Sequence, residues 1–220
     1  MHVRLLPTLF LLIVATVAVV LFFSKTKQDG QGQQDSARQE GSVVSVVSVR
    51  FSPEVEDMLS QRLSEVTLAF EDEVIIAEMV DSNRKNAALD TRAITEMDTR
   101  FRAATNDDPF VAQFLSNKTA GVLRNFQAKH PEFIEIFVTD SFGLNVGQTN
   151  KTSDLYQADE AWWVDTWDGG NGRSSHGGIE FDESTQSEAI SLYVPIRYGS
   201  GAVIGVGKAV LDLTAIKQQL

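Results

Sequence analysis

An uncharged apolar run near the start of the chain, Leu5 to Phe23, is the feature that most constrains the fold. Its 19 residues would form an α-helix roughly 28 Å long, about the thickness of the hydrocarbon core of a membrane. A cleaved signal peptide is the alternative, but it requires a shorter apolar core and small residues at the cleavage site, and this run ends in Phe22-Phe23-Ser24. We therefore expect an uncleaved transmembrane anchor at residues 1–23, which ties a water-soluble domain to the membrane.

The charge balance of the chain excludes several classes of partner. With 30 acidic and 19 basic residues, the formal net charge is -11, and such a surface repels nucleic acid and anionic lipid headgroups. The chain has no cysteine, so neither a disulfide framework nor a thiolate metal site can form. We predict no nucleic-acid partner, no metal and no cofactor. Because basic residues flank the apolar run on both sides, they leave its orientation open; we favour a single-pass protein of the inner (cytoplasmic) membrane with its domain outside the cytoplasm.

A polar stretch follows the apolar run. From Ser24 to Gly41 the residues are mainly Gln, Gly, Ser, Asp and Lys, and such a segment cannot bury enough apolar surface to offset the entropy of ordering it. We predict a flexible linker at residues 24–48. Residues 49–220 are expected to form a single domain, since that length is sufficient for one hydrophobic core.

The first part of this domain has the periodicity of helices. Ser52-Pro53-Glu54 is a predicted helix start, because Ser52 can cap the helix and proline is accepted in the first turn. Apolar residues then recur at spacings of three and four, which predicts one long amphipathic helix, continuing weakly to about Ala103. The stripe consists of Val55, Leu59, Leu63, Val66, Phe70, Val74 and Ala77. It fits either a helix lying on the domain core or a seam between two copies of the chain.

A second helix is predicted from Pro109 to Lys129, and after His130-Pro131 the periodicity changes from helical to alternating. A short helical connection is expected from Tyr156 to Trp167. Strands are predicted at 133–138, 144–149, about 174–182, 189–198 and 202–213. Helices first and antiparallel strands afterwards predict an α+β domain, in which the long N-terminal helix packs on an antiparallel sheet.

Five short segments are informative through their order and spacing. The segments are Phe137-Val138-Thr139-Asp140-Ser141-Phe142-Gly143, Asp159-Glu160-Ala161-Trp162-Trp163, Phe181-Asp182-Glu183-Ser184, Leu192-Tyr193-Val194-Pro195-Ile196 and Val203-Ile204-Gly205-Val206-Gly207. Together they resemble the extracytoplasmic Cache sensor domains, a PAS-like (PDC) family. Domains of this family occur in bacterial chemoreceptors and sensor kinases, where a membrane anchor precedes the long helix. The resemblance implies a PAS-like sheet that binds a small metabolite under the loop–helix segment above it.

The resemblance does not extend to amino-acid specificity. Family members that bind amino acids have an arginine two residues before the aromatic pair, and Glu160 stands at that position. Their aspartate in the last strand, which holds the amino group, falls near Val210. The resemblance therefore predicts a small-molecule ligand without naming it.

The last predicted strand supplies one candidate ligand contact. Gly205, Gly207 and Ala209 share a face of it, which allows the long helix to approach closely. Lys208 then points to the opposite face, where a buried ammonium requires an anion. That anion is Glu160 or Asp182 of the chain itself, or the carboxylate of a ligand; a lysine reaching past the sheet margin to solvent is a further alternative.

Aromatic side chains complete the predicted site. Trp162 and Trp163 offer an aromatic wall with an indole donor, although core packing explains them equally well. Adjacent residues cannot face the same way on a helix, so at least one of the two is expected to look away from the core. Tyr193 is either a pocket hydroxyl or a buried, satisfied tyrosine. The predicted ligand-binding set is Tyr156, Glu160, Trp162, Trp163, Phe181, Asp182, Tyr193 and Lys208, and no catalytic residue is predicted.

The sequence thus predicts a membrane-anchored extracytoplasmic sensor domain that binds a small metabolite and feeds signal transduction, and not an enzyme. Its predicted partners are the small-molecule ligand and the membrane, and the pattern is compatible with a homodimer and with a membrane signalling partner. The rival interpretation is a structural or assembly protein of the cell envelope that uses the long helix as its contact surface. Ligand-induced thermal stabilisation would separate the two.

Overall fold

The computed structural model describes residues 51–182, 187–199 and 201–217. The predicted transmembrane anchor, residues 1–23, and the predicted linker, residues 24–48, lie outside these residues. Within the described ranges, no helix is both long enough and apolar enough to cross a bilayer.

Most helix starts of the domain are fixed by side-chain caps. The helices are α1 (Pro53–Phe70), α2 (Glu73–Asn86), α3 (Thr91–Ala103), α4 (Pro109–Ser116), α5 (Lys118–Lys129), α6 (Ala161–Trp167) and α7 (Leu213–Lys217). The side chains of Asp72, Asp90, Asp108 and Asn117 each accept a hydrogen bond from a backbone N–H of the helix that follows. These caps satisfy N–H groups that have no partner inside a helix.

The predicted long helix is divided at Glu71 and Asp72, where α1 ends and α2 begins. The break changes which side chains face the core. Val74 and Ala77, the last members of the predicted stripe, are exposed, and Ile75 and Met79 are fully buried instead. The prediction of one uninterrupted helix was therefore wrong beyond Phe70.

The second predicted helix is also divided. Asn117 ends α4 and caps α5, since its side-chain oxygen accepts the N–H of Ala120 at 2.8 Å. Its side-chain nitrogen donates to the carbonyl of Val146 at 2.6 Å, so the same residue holds both helices against the sheet.

The strands form one antiparallel sheet in the order β2-β1-β5-β4-β3. They are β1 (Phe133–Asp140), β2 (Asn145–Gln148), β3 (Ser175–Asp182), β4 (Ser187–Tyr198) and β5 (Ala202–Asp212). The five predicted strands and the α+β class are confirmed. β2 and β3 are the edges, and β5 lies in the centre between β1 and β4.

One face of the sheet packs against α1 and α2 and holds the main core; we call it the α1 face. From the sheet it takes Ile136, Val138, Ile190, Leu192, Val194 and Ala209, and from the helices Leu59, Val66, Phe70, Ile75 and Met79. The apolar stripe on α1 therefore packs into the core of its own chain. This confirms the interpretation of α1 as a helix lying on the domain core, and it makes the stripe unsuitable as a seam between two copies. Burial of this apolar surface is the main source of stability.

Glycine in β5 sets how closely the helices approach. A Cβ atom on Gly207 would lie 2.1 Å from Cε2 of Phe70, and one on Gly205 would lie 2.8 Å from the sulfur of Met79. Real Cβ atoms do not come this close, so the end of α1 and the middle of α2 rest directly on the backbone of β5. This confirms the predicted role of the small face of the last strand.

A smaller apolar cluster lies between α3, α4 and the loop after β2. Its buried members are Phe101, Val111, Leu144 and Leu155. The Asp98 carboxylate is 4% exposed and accepts the N–H groups of Leu155 and Tyr156 at 2.9 and 3.1 Å. A buried carboxylate of α3 therefore fixes the path of that loop.

Candidate ligand site

The sheet face opposite α1, here called the α6 face, carries one row of side chains that crosses all five strands. In strand order the row is Gln148, Phe137, Lys208, Tyr193 and Ser175, each paired with the next across the ladder. Directly paired residues have Cβ atoms about 5 Å apart, so these side chains are neighbours. We call this set the central row.

Trp162, from α6, covers the middle of the central row. Its ring is stacked on Tyr193, with centroids 5.2 Å apart and planes inclined by 15°. Phe137 meets it edge to face at 5.9 Å. The Lys208 Nζ atom lies 5.5 Å from the Trp162 ring centroid, within the range of a cation–π contact. The structure thus brings together three of the predicted site residues, Trp162, Tyr193 and Lys208.

Lys208 is half-buried between two aromatic residues of the row. Among the described side chains, no carboxylate lies within 4.0 Å of its Nζ atom, so the predicted ion pair with Glu160 is not formed. The aromatic ring of Trp162 offsets only part of the cost of removing an ammonium from water. An anion that reached this position would gain both the charge and the N–H donors of the lysine.

Tyr193 is 8% exposed, and its hydroxyl lies against the backbone of Gly177, where an added Cβ would be 3.1 Å from the oxygen. Burial raises the pKa of the Tyr193 phenol; Ser191 lowers it through a hydrogen bond, and the carboxylates of Glu180 and Glu160 raise it further. The phenol therefore remains a neutral hydrogen-bonding group throughout the physiological range.

The Trp163 side chain is buried and makes its contacts with other side chains of the protein. Its ring is 5% exposed, its Nε1 donates to the Thr139 hydroxyl at 2.8 Å, and it stacks on Trp167 at 5.4 Å. Thr139 shares the α6 face with Phe137, two residues away on β1. Both tryptophans therefore rest on the sheet, and the expectation that one of them looks away from it was wrong. Trp162 reaches Tyr193 of β4, and Trp163 reaches Thr139 of β1, so the two side chains contact different strands of the sheet.

The acidic residues near the central row lie at its margins. Glu160 is exposed and immediately precedes α6 as its N-cap residue. Glu180 lies on β3 and is also exposed. Both are close enough to act on the pKa of Tyr193. They place negative charge at the margins of the central row, and Lys208 is the positive group within the row.

The structure does not bring Tyr156 or Phe181 to the central row. Tyr156 packs on the cluster between α3 and α4. Phe181 is 61% exposed and pairs with Glu188 near the sheet edge. A bulge between His176 and Ile179 adds one residue to β3, which turns Phe181 to the opposite face from the one that plain alternation predicts. Asp182 pairs with Ser187 through the backbone, and its side chain lies outside the described ones.

Two residues of this face were missed in the sequence. Phe137 lies in the central row, and Thr139 anchors Trp163. A signal for both was present, because alternation along Phe133 to Asp140 places positions 137 and 139 on one face. What alternation cannot show is which face α6 covers.

One cluster has the residue types of a metal site. Ligand atoms of Glu65, His130 and Glu132 lie within 4.8 Å of one another. The guanidinium of Arg62 already bridges the two carboxylates, with Nη1 2.7 Å from Glu65 and Nη2 2.9 Å from Glu132. A metal ion would have to compete with this built-in cation. The cluster is better described as an ion bridge from α1 to the start of β1.

Comparisons with known proteins give structural neighbours only. No protein-family model matches the chain, and a search of curated proteins gives no match. Among solved structures, one neighbour is the ligand-binding domain of the Pseudomonas aeruginosa PAO1 amino-acid chemoreceptor PctC with GABA. Its TM-score is 0.35 at 12% identity, over 76% of this chain and 64% of that one.

Two further solved neighbours are of the same type. The ligand-binding domain of the Campylobacter jejuni chemoreceptor Tlp3 with L-valine has a TM-score of 0.38 at 12% identity, over 77% of this chain and 67% of that one. The sensor domain of the V. cholerae histidine kinase DctB has a TM-score of 0.36 at 16% identity, over 75% and 60%. All three of these neighbours are described as ligand-binding or sensor domains. The chain spans about two thirds or less of their length.

Proposed function

We propose that this protein is an extracytoplasmic sensor domain, held at the inner membrane by residues 1–23, that binds a small organic anion on its α6 face. The observation that supports the proposal is the central row, in which Lys208 lies between Phe137 and Tyr193 with Trp162 above it. The lysine has no carboxylate partner within 4.0 Å among the described residues. A ligand carboxylate would supply the missing anion, and the aromatic side chains would enclose its apolar part.

Trp162 has a particular part in this proposal. It lies where a ligand would contact Lys208, so binding requires its ring to move aside or to share the row. Either change alters the polarity around the indole. Tryptophan emission should therefore report ligand binding.

The test uses the full chain and a panel of small mono- and dicarboxylates. A ligand should change tryptophan emission and raise the melting temperature, and Lys208→Met should abolish both effects while leaving the fold intact. Lys151→Met is the matched control, because the Lys151 ammonium also lies over an aromatic ring, 4.8 Å from the Phe101 centroid in the other cluster. Binding that survives Lys208→Met would contradict the proposed site.

The signal would pass through β5. Lys208 faces the ligand site, and its neighbour Gly207 lies against Phe70 at the end of α1. A ligand with different affinity for two positions of β5 would shift α1 accordingly, whereas equal affinity would shift nothing. A cysteine at the exposed position Gln61 of α1 tests this in a dimer, since the chain has no other cysteine. Cross-linking yields that do not change with ligand would count against α1 as the transmitter.

A structural role in the cell envelope remains the second candidate, and exposed apolar side chains favour it. Leu68 is 69% exposed on α1, Val80 is 42% exposed on α2, and Tyr198 is 56% exposed at the end of β4. Such a surface can serve contact with another protein. A chain that shows no thermal stabilisation with any carboxylate, but is pulled down with envelope proteins through Leu68 and Tyr198, would support this second role.

A further inference from the structure

A separate cavity of about 380 Å³ lies between α2, α4 and the edge strand β2. We call it the α2–α4 cavity. None of its lining residues belongs to the central row. Its volume is sufficient for a small organic molecule.

One wall of the α2–α4 cavity is apolar and aromatic. It consists of Met97, Phe110, Phe114, Leu144 and Leu155. The rings of Phe110 and Phe114 meet edge to face, with centroids 5.9 Å apart, and both rings pack on the cluster around Phe101. This wall suits an apolar body of a ligand.

The opposite wall is α2. Its Asp81 pairs with both Lys85, with 2.5 Å between Nζ and Oδ2, and Arg84. The half-buried Glu78 lies one turn earlier on the same helix and lines the cavity. Its carboxylate has no ion-pair or hydrogen-bond partner among the described residues. Of the two α2 carboxylates that line the cavity, Glu78 is therefore the one without a basic partner among the described residues.

Asn145, which also lines the cavity, adds a second acceptor. The side chain is 2% exposed, and the two hydrogens of its Nδ2 are shared among Gln148, Thr152 and the carbonyl of Asp154. Its Oδ1 is buried and has no hydrogen-bond partner among the described residues. Buried acceptors are almost always satisfied, so this oxygen calls for a donor.

The wall formed by α2 is held in place without a ligand. Ser82 and Asn86 both donate to Oδ2 of the buried Asp140, at 2.8 and 2.6 Å. Asp140 in turn accepts the N–H groups of Phe142 and Leu144, at 2.9 and 3.1 Å. A ligand would thus meet a preorganised site, which lowers the cost of binding.

We infer that the α2–α4 cavity binds a primary amine that carries a small apolar or aromatic body. The unused polar groups, Glu78 and Asn145, are both acceptors, and an ammonium is a donor with three N–H groups. The aromatic wall receives the apolar body. The net charge of -11 attracts cations to this protein before contact. This site does not depend on the anion site of the α6 face.

Calorimetric titration of the full chain with 2-phenylethylamine tests the inference, with phenylacetate as a probe of similar size and opposite charge. Glu78→Gln keeps the shape of the wall and removes its charge. We expect saturable binding of the amine, no binding of phenylacetate at this site, and a loss of affinity of at least about tenfold in Glu78→Gln, since a hydrogen bond to a charged group is lost.

Two controls separate this site from the anion site. Lys208→Met should leave amine binding unchanged, and the amine should leave tryptophan emission unchanged, because no tryptophan is among the residues that line the cavity. An unchanged melting temperature of Glu78→Gln without amine verifies its fold. The inference is overturned if the amine does not bind saturably, if phenylacetate binds equally well in Lys208→Met, or if the wild type and Glu78→Gln bind the amine alike.

Discussion

The two faces of the sheet are made by the same strands, yet they are built for different purposes. On the α1 face, glycine and alanine of β5 let Phe70 and Met79 lie directly on the backbone, and the main core is an apolar cluster. On the α6 face, one residue along the same strand, Lys208 is held among aromatic rings. Since the first face supplies most of the apolar burial, the second can hold a half-buried ammonium that has no carboxylate partner among the described side chains.

The largest difference should appear on deletion of a core ring. Phe70→Ala removes a 1% exposed side chain from the α1 face, and we expect a loss of about 3–5 kcal/mol in the free energy of unfolding. Urea unfolding measures it. Leu68→Ala, two residues earlier and 69% exposed, should change stability by no more than about 0.5 kcal/mol. Equal losses for both would mean that α1 does not pack on the sheet as described.

A substitution at Gly207 tests the packing on the α1 face from the strand that Phe70 contacts. Gly207→Ala places a Cβ 2.1 Å from the Phe70 ring, and we expect a loss of about 1–3 kcal/mol by overpacking. Gly178→Ala, in β3, is the matched control, because a Cβ there has nothing within 4 Å. Thermal unfolding should leave that control near the wild type. A tolerated Gly207→Ala would show that α1 has room to move away from β5.

The adjacent tryptophans sharpen the contrast within the α6 face. Trp163→Phe loses the Nε1 hydrogen bond to Thr139 and should cost about 1 kcal/mol of stability. Trp162→Phe should cost less, because Trp162 has no such bond among the described residues, but it should remove most of the emission change on ligand binding. Chemical unfolding and fluorescence titration of both variants check this. If Trp162→Phe lost more stability and Trp163→Phe removed the emission change, the roles of the two tryptophans would be reversed.

The smallest expected effect is a pH dependence from the α6 face. Because burial raises the pKa of Tyr193, the folded protein keeps this proton at a pH where the unfolded chain releases it. The stability that the neutral phenol contributes is thus fully present below pH about 10, and it is lost as the pH rises toward the pKa of Tyr193 in the folded protein. Tyr193→Phe should reduce the alkaline loss of stability by no more than about 1 kcal/mol, measured as a difference from the wild type by urea unfolding at pH 9 and 11. An identical pH slope in the two proteins would contradict a raised pKa.

The spacing of apolar residues predicted the secondary structure well where no local capping signal competed with it. The stripe up to Phe70, the five strands and the small face of β5 followed from spacing. The breaks at Asp72 and Asn117 were missed, although both are good cap residues. The helical spacing of apolar residues continues through both positions by chance, and it concealed the capping signal of Asp72 and Asn117.

The candidate site was predictable only in part, because it depends on tertiary contacts. Strand alternation correctly separated Lys208 from Gly207. Phe181 lies in a segment that carries the family resemblance, but the bulge at Gly177-Gly178 shifts the register by one residue and turns Phe181 away from the central row. Adjacent glycines inside a strand are a sequence sign of such a bulge. Tyr156 was misplaced because nothing local shows that Asp98 holds its backbone against α3.

The central position of β5 affects how the chain is made. β1 pairs with β5 through residues about 70 apart, such as Phe137 and Lys208. At roughly 5–20 residues per second, the ribosome completes Asp212 some 4–14 seconds after Asp140. Throughout that interval one edge of β1, with its sequence Phe-Ile-Glu-Ile-Phe-Val, has no native neighbour and can pair with another nascent chain. Association of unfinished chains through this edge is therefore a risk that the stability of the finished domain does not remove.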